Sequence, residues 1–129
     1  MDNCQDYFRT PVAGVDTLYT CRKFFGVPDG AFLYTDVPAV DDLERDVSYD
    51  RMHYLLGRVE HPASEFYAEY VQSNADFAEA PVKRMSRLTE NLLRGIDYAQ
   101  VQRIRSANWR RLSKRLGACL LYTSDAADE

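Results

Sequence analysis

Five residues, Gly26-Val-Pro-Asp-Gly30, constrain this chain more than any others. Pro28 holds its own φ near −65° and has no N–H to give a ladder, while the flanking glycines allow backbone shapes closed to other residues. The segment therefore predicts a tight turn. Val15-Asp-Thr-Leu-Tyr-Thr-Cys21 lies before it, β-branched and aromatic with partial alternation, which predicts a strand. Ala31-Phe-Leu-Tyr-Thr35 lies after it and reads as a short buried strand. Arg22 and Lys23 stand at the mouth of the turn, and Lys23 is the sole lysine before Lys83. On pattern alone this is a hairpin with a solvated lysine.

Around this unit the chain changes character. Asp2-Asn-Cys-Gln5 and the aromatic pair Tyr7-Phe8 precede it, followed by a loop punctuated by Pro11 and Gly14. Residues 37–47 form an acidic connector expected to be irregular or briefly helical. Beyond it the reading is helical. Ser48 or Asp50 is placed to cap a first helix, with Met52, Leu55, Leu56 and Val59 as its apolar stripe, ended by His61-Pro62. Phe66, Tyr67, Tyr70, Val71 and Phe77 mark a second helix. Met85, Leu88, Leu92 and Leu93 mark a third, closed near Gly95. Asp97 caps a fourth of about twenty residues, in which Val101, Ile104, Asn108, Leu112 and Leu116 recur at steps of three or four. The fold class expected is α/β, with strands near 15–21 and 31–35 followed by a mostly helical segment over 50–116.

Composition narrows the function classes. A hydrophobic content of 46% with 28% charged residues is that of an ordinary soluble domain, and no run is long and apolar enough for a membrane span. The first residues lack the basic and apolar regions of a secretory signal, so a cytoplasmic setting is expected. The three cysteines, Cys4, Cys21 and Cys119, show no disulfide framework or metal spacing. His53 and His61, the two histidines, do not share a helical turn, so no metal site is expected. Charge is split along the chain. Residues 1–82 hold six basic and fifteen acidic side chains, residues 83–118 ten basic and two acidic. A nucleic-acid or acidic-partner module using helices 83–116 is the alternative function this split raises, although no zinc-finger, helix-turn-helix or RNP-type motif accompanies it.

The last eleven residues, Cys119-Leu-Leu-Tyr-Thr-Ser-Asp-Ala-Ala-Asp-Glu129, break the basic helical pattern. They closely resemble the translation of a transposase mosaic-end adapter used in sequencing libraries. The expectation is a natural segment over 1–118, cut from a longer protein, followed by a non-native tail over 119–129.

Four elements, Asp2-Asn-Cys-Gln5, Thr20-Cys-Arg-Lys23, Pro28-Asp-Gly-Ala31 and Arg84-Met-Ser86, together resemble the DegT/DnrJ/EryC1/StrS family of pyridoxal-phosphate-dependent sugar aminotransferases. The resemblance covers essentially all of 1–117. It implies an incomplete PLP-transferase fold (aspartate-aminotransferase-like, fold type I), formed by the end of the large-domain sheet and its linking helices. It also implies roles for particular residues. Asp2 faces the pyridine nitrogen of pyridoxal 5'-phosphate, Gln5 lies near its phenolic oxygen, and Lys23 carries it as a Schiff base. Thr20, with Thr17 as a competitor, hydrogen-bonds the phosphate, and Arg22 either lowers the lysine pKa or binds phosphate. Asp29 and Gly30 fix the turn behind Lys23.

The chain departs from the family in places. Its common Gly-Gly is Gly30-Ala31 here, and a long helical insert fills the spacing from Lys23 to Arg84. The family's N-terminal phosphate loop, ring-stacking residue and C-terminal small domain are absent from this sequence. The implied substrates are a keto-sugar, nucleotide-linked, in polysaccharide or glycan biosynthesis, and an amino-acid donor. A homodimer is implied for the complete protein, with no nucleic-acid or membrane partner. This polypeptide alone is expected to be inactive.

Overall fold

A computed structural model describes residues 1–38 and 42–117. The expected non-native tail over 119–129 and part of the acidic connector lie outside the described residues. The chain divides into two compact units, one over Met1–Gly95 and one beginning at Ile96.

The first unit is built on β1 (Thr17–Thr20) and β2 (Ala31–Tyr34), an antiparallel hairpin with Thr17 opposite Tyr34 and Thr20 opposite Ala31. Residues 1–3 run parallel to β1 on its other edge. Asp2 bridges Leu18, the Asn3 N–H donates to the Leu18 carbonyl at 2.9 Å, and the Leu18 N–H donates to the Met1 carbonyl at 3.0 Å. Because side chains alternate across a strand, β1 sorts its residues between two environments. Thr17 and Tyr19 are buried, while Leu18 is open and Thr20 half-buried on the opposite face. The buried face meets an aromatic cluster in which Tyr7 packs edge-on to Tyr19 and Phe25, with ring centroids 6.2 and 4.9 Å away. Such edge-to-face pairs add about 0.5–1.5 kcal/mol beyond area burial. The Tyr19 hydroxyl is satisfied by the Arg9 carbonyl at 2.7 Å.

The segment read as a buried strand is exposed at each of its four residues, with Leu33 61% and Tyr34 56% accessible. An apolar run cannot show whether a strand is central or at an edge. Among the described residues β2 pairs on one side only, with β1, and although its Phe32 and Tyr34 rings meet Tyr7 and Tyr19, all four residues stay exposed.

A 3-10 turn, Tyr49–Met52, leads into α1 (His53–Glu60), and a second, Ala63–Phe66, leads into α2 (Tyr67–Glu79). The helices stand where expected, but their inward faces differ from the expected stripes. Leu56 and Val59 are exposed at 60% and 82%, and Tyr54 is the buried residue of α1, with its ring 6.2 Å from that of Tyr70. Gly57 admits the Phe66 ring so closely that a Cβ at that position would overlap it. On α2, Tyr67 and Val71 are exposed and Ser73 is buried. The aromatic contacts between two short helices set which face turns inward, and the stripe of smaller aliphatic side chains follows from that.

Segment 44–46 pairs with segment 84. The Arg84 N–H donates to the Glu44 carbonyl and the Asp46 N–H to the Arg84 carbonyl, at 2.8 and 2.9 Å. α3 (Arg87–Arg94) follows, with Ser86 as its N-cap accepting from the Thr89 N–H at 3.1 Å and Leu93 buried. In the second unit, α4 (Tyr98–Leu116) is capped by Asp97, whose carboxylate accepts from the Gln100 N–H at 2.9 Å. No helix among the described residues is long and apolar enough to cross a membrane.

Candidate functional site

Lys23 lies in a turn closed by backbone hydrogen bonds. The Cys21 carbonyl accepts from the N–H groups of Phe24 and Phe25 at 3.1 and 3.0 Å, and the Cys21 N–H donates to the Gly30 carbonyl at 3.0 Å. The chain then descends through Val27, Pro28 and Asp29, all buried. Lys23 itself stays exposed, and its amine makes no hydrogen bond or ion pair among the described residues.

Asp2 and Lys23 come within electrostatic reach of each other. The Asp2 carboxyl is held below the usual carboxylate value chiefly by the Cys4 thiol and the Cys4 N–H, the latter donating at 2.8 Å, with a further contribution from the Lys23 charge. Burial and the Asp2 carboxylate hold the Cys4 thiol above its ordinary value, against a smaller opposing effect of the Lys23 charge. The bridge to Leu18 turns Asp2 to the same side of the sheet as Leu18 and Thr20. Asp2 and Thr20 thus share one side of β1, with the Cys4 N–H bonded to Asp2 and the Lys23 charge within electrostatic reach.

The other expected site residues are placed as follows. Gln5 is exposed in the turn after Asp2, where the Asp6 N–H donates to the Asn3 carbonyl at 3.0 Å. The Thr17 hydroxyl is fully buried and donates to the Val15 carbonyl at 2.9 Å, which removes it as a competitor of Thr20. The Arg22 guanidinium reaches α2, donating to Asn74 Oδ1 at 2.9 Å and stacking 4.3 Å from the centre of the Phe77 ring. Arg51, ion-paired with Asp46, lies over the same ring at 5.0 Å. A shallow hollow of about 230 Å³ between the Pro11–Val15 loop and the end of β2 includes none of these side chains.

Behind the lysine turn is a polar centre that composition and spacing did not disclose. The Asp29 carboxylate is buried and accepts from the Ser86 N–H at 2.7 Å, the Ser86 hydroxyl at 2.8 Å and the Thr89 hydroxyl. The Ser48 hydroxyl donates to Ser86 Oγ at 2.7 Å. Ser48 thus caps no helix through its side chain, contrary to expectation, because its hydroxyl is spent on this cluster. Burial pushes the Asp29 carboxyl up, but the hydrogen bonds from Ser86 and Thr89, with the Ser48 hydroxyl close behind them, outweigh it and leave the group below its ordinary value. Asp29 also helps burial to push the Cys21 thiol up to about 12. Beside it, Gly30 has φ +104°, and a Cβ there would meet Met85 Cε and Thr89 Cγ2 at 3.0 Å. The nearest signal in the sequence was the pairing of an Asp-Gly turn with a Ser-x-x-Thr helix start, which does not say that the two meet.

The chain matches no protein-family model, no curated protein and no solved structure.

Proposed function

We propose that this chain is the lysine-bearing segment of a pyridoxal-phosphate-dependent aminotransferase that acts on a nucleotide-linked keto-sugar with an amino acid as donor. The observation that carries the reading is that Asp2 and Thr20 share one side of β1, with the Asp2 carboxylate kept ionised within reach of the Lys23 charge and the Lys23 amine free of partners among the described residues. The parallel pairing at Asp2 and the exposed β2 support reading this sheet as the end of a larger one; the PLP-transferase fold and the homodimer are what the resemblance implies.

These residues fit the cofactor. A carboxylate and a hydroxyl on one side of β1, with an amine in electrostatic reach of the carboxylate, are donors and acceptors that a phosphorylated pyridine aldehyde requires. Asp2 would hold the ring nitrogen, Lys23 the aldehyde carbon, Thr20 the phosphate and Gln5 the phenolic oxygen. When bound, the ring supplies an electron sink for the carbon that loses its proton. Asp2, being ionised, keeps a proton on the ring nitrogen by accepting it in a hydrogen bond. Lys23, when its amine is free and neutral, takes and returns a proton at Nζ. Arg22 is left out of this set, because its guanidinium is already committed to Asn74 and Phe77. The basic residues near α3 are read as a solvated, paired face, since Lys83 lies 3.6 Å from Glu44 and Arg94 2.6 Å from Glu90.

Borohydride trapping tests the reading. The chain is mixed with pyridoxal 5'-phosphate and reduced, and its three lysines, Lys23, Lys83 and Lys114, are compared by peptide mapping. Lys23 should be modified at least about tenfold faster, the selectivity that a bias of about 1.4 kcal/mol provides. Asp2→Asn should remove the preference. Equal modification of the three lysines sinks the proposal.

A further inference from the structure

We infer that Asp29 is the positioning residue of the lysine turn: its hydrogen bonds to Ser86 and Thr89 bolt that turn to the start of α3 and so set where the Lys23 amine stands relative to Asp2. The importance of the inference rests on reading Lys23 as the working amine. Its geometry does not.

Three features carry it. First, the attachment is direct. Asp29 lies six residues after Lys23 and its carboxylate takes three donors, at 2.7 Å from the Ser86 N–H, at 2.8 Å from the Ser86 hydroxyl, and from the Thr89 hydroxyl. Second, it has no slack. Val27, Pro28 and Asp29 are buried, Gly30 lies so close to Met85 and Thr89 that an added Cβ would meet both at 3.0 Å, and the Gly30 carbonyl holds the Cys21 N–H at 3.0 Å. Both ends of the turn around Lys23 are therefore referred to α3. Third, Lys23 has no anchor of its own, since its side chain is exposed and without hydrogen-bond or ion-pair partners among the described residues. The backbone beneath it fixes where the side chain starts, and so the region that the amine can reach. The charge-assisted bonds at Asp29 are about twice as strong as neutral ones, so an amide in its place would hold the turn less firmly. Asparagine also presents an NH2 to donors that need an acceptor.

A double-mutant cycle tests this without any cofactor. The titration of the Asp2 carboxyl is followed by carbon-13 NMR in the full chain, in Lys23→Met, in Asp29→Asn and in the double variant. Lys23→Met should raise the Asp2 midpoint when Asp29 is present, because it removes a neighbouring positive charge. In the Asp29→Asn background the same substitution should lose its effect. Simple loss of stability at Asp29 in a chain that remains folded would not change how Lys23 and Asp2 couple, so an equal shift in both backgrounds overturns the inference. Absence of any shift from Lys23→Met in the parent overturns it as well. If Asp29→Asn does not fold by circular dichroism, the cycle is repeated with Ser86→Ala and with Thr89→Val. Each should weaken the coupling, and full coupling in both would overturn the inference. A failed cycle leaves the trapping result at Lys23 intact, and failed trapping leaves the cycle intact.

Discussion

The Asp29 carboxylate accepts from both the backbone N–H and the hydroxyl of Ser86, 57 residues further along the chain. This pairing joins the Gly/Pro turn to the first turn of α3, where the free N–H groups of a helix start favour an anion. Asp29→Asn leaves donors facing an amide in a buried site. A loss of about 2–4 kcal/mol is expected in urea unfolding, the range for breaking a buried hydrogen-bond network.

The same carboxylate sets an acid limit. Its pKa in the folded chain is below its ordinary value of 3.8, so its contribution is fully present above the unfolded value and is lost as pH falls through the folded one. Unfolding midpoints measured from pH 6 to pH 2 should therefore decline below about pH 4 in the parent, and less steeply in Asp29→Asn. Equal slopes would show that other carboxylates carry the acid sensitivity.

Gly30→Ala should destabilise by about 1–3 kcal/mol, the cost of a non-glycine residue in a sparsely populated backbone region. Its φ is +104°, and the new methyl would press on Met85 and Thr89 at 3.0 Å. Gly14→Ala is the control, because Gly14 also has a positive φ, +73°, but a methyl added there would meet nothing within 4 Å. The difference between the two variants in thermal unfolding measures the packing against Met85 and Thr89 together with the greater backbone strain at φ +104°.

Gly57→Ala sets two effects against each other. Alanine gains about 1 kcal/mol of helix propensity over glycine, but its methyl would occupy the space of the Phe66 ring. Overpacking costs of about 1–3 kcal/mol are the larger effect, so net destabilisation is expected. Phe66→Leu together with Gly57→Ala should recover part of it in urea titrations.

The thiols should separate under iodoacetamide at pH 8. Cys21 is fully buried with its pKa pushed up to about 12, so it should label only as the chain unfolds. Cys4, half-exposed with a smaller upward shift, should label first in a Cys119→Ser background. Labelling of Cys21 at the rate of Cys4 in the folded chain would contradict the buried position of the turn.

Much of this arrangement was written locally. The strand before the turn, the proline that ends α1, the N-cap of α4 at Asp97 and the close of α3 at Gly95 each depend on a few adjacent residues, because φ restriction, alternation and capping act over one turn or one strand. The sequence by itself determined that these elements form and near which residues, although the strand expected over 15–21 is Thr17–Thr20, and it singled out Lys23 at the mouth of its turn. Tertiary structure alone decided which faces are buried, against the apolar stripe of α1 and the apolar run of β2. It also decided that the Ser48 hydroxyl serves Ser86, that Arg22 reaches Phe77, and that Asp2 stands near Lys23. Those outcomes depend on which surfaces meet across 20 to 60 residues of intervening chain, and a buried carboxylate such as Asp29 is tolerable only where distant donors gather around it.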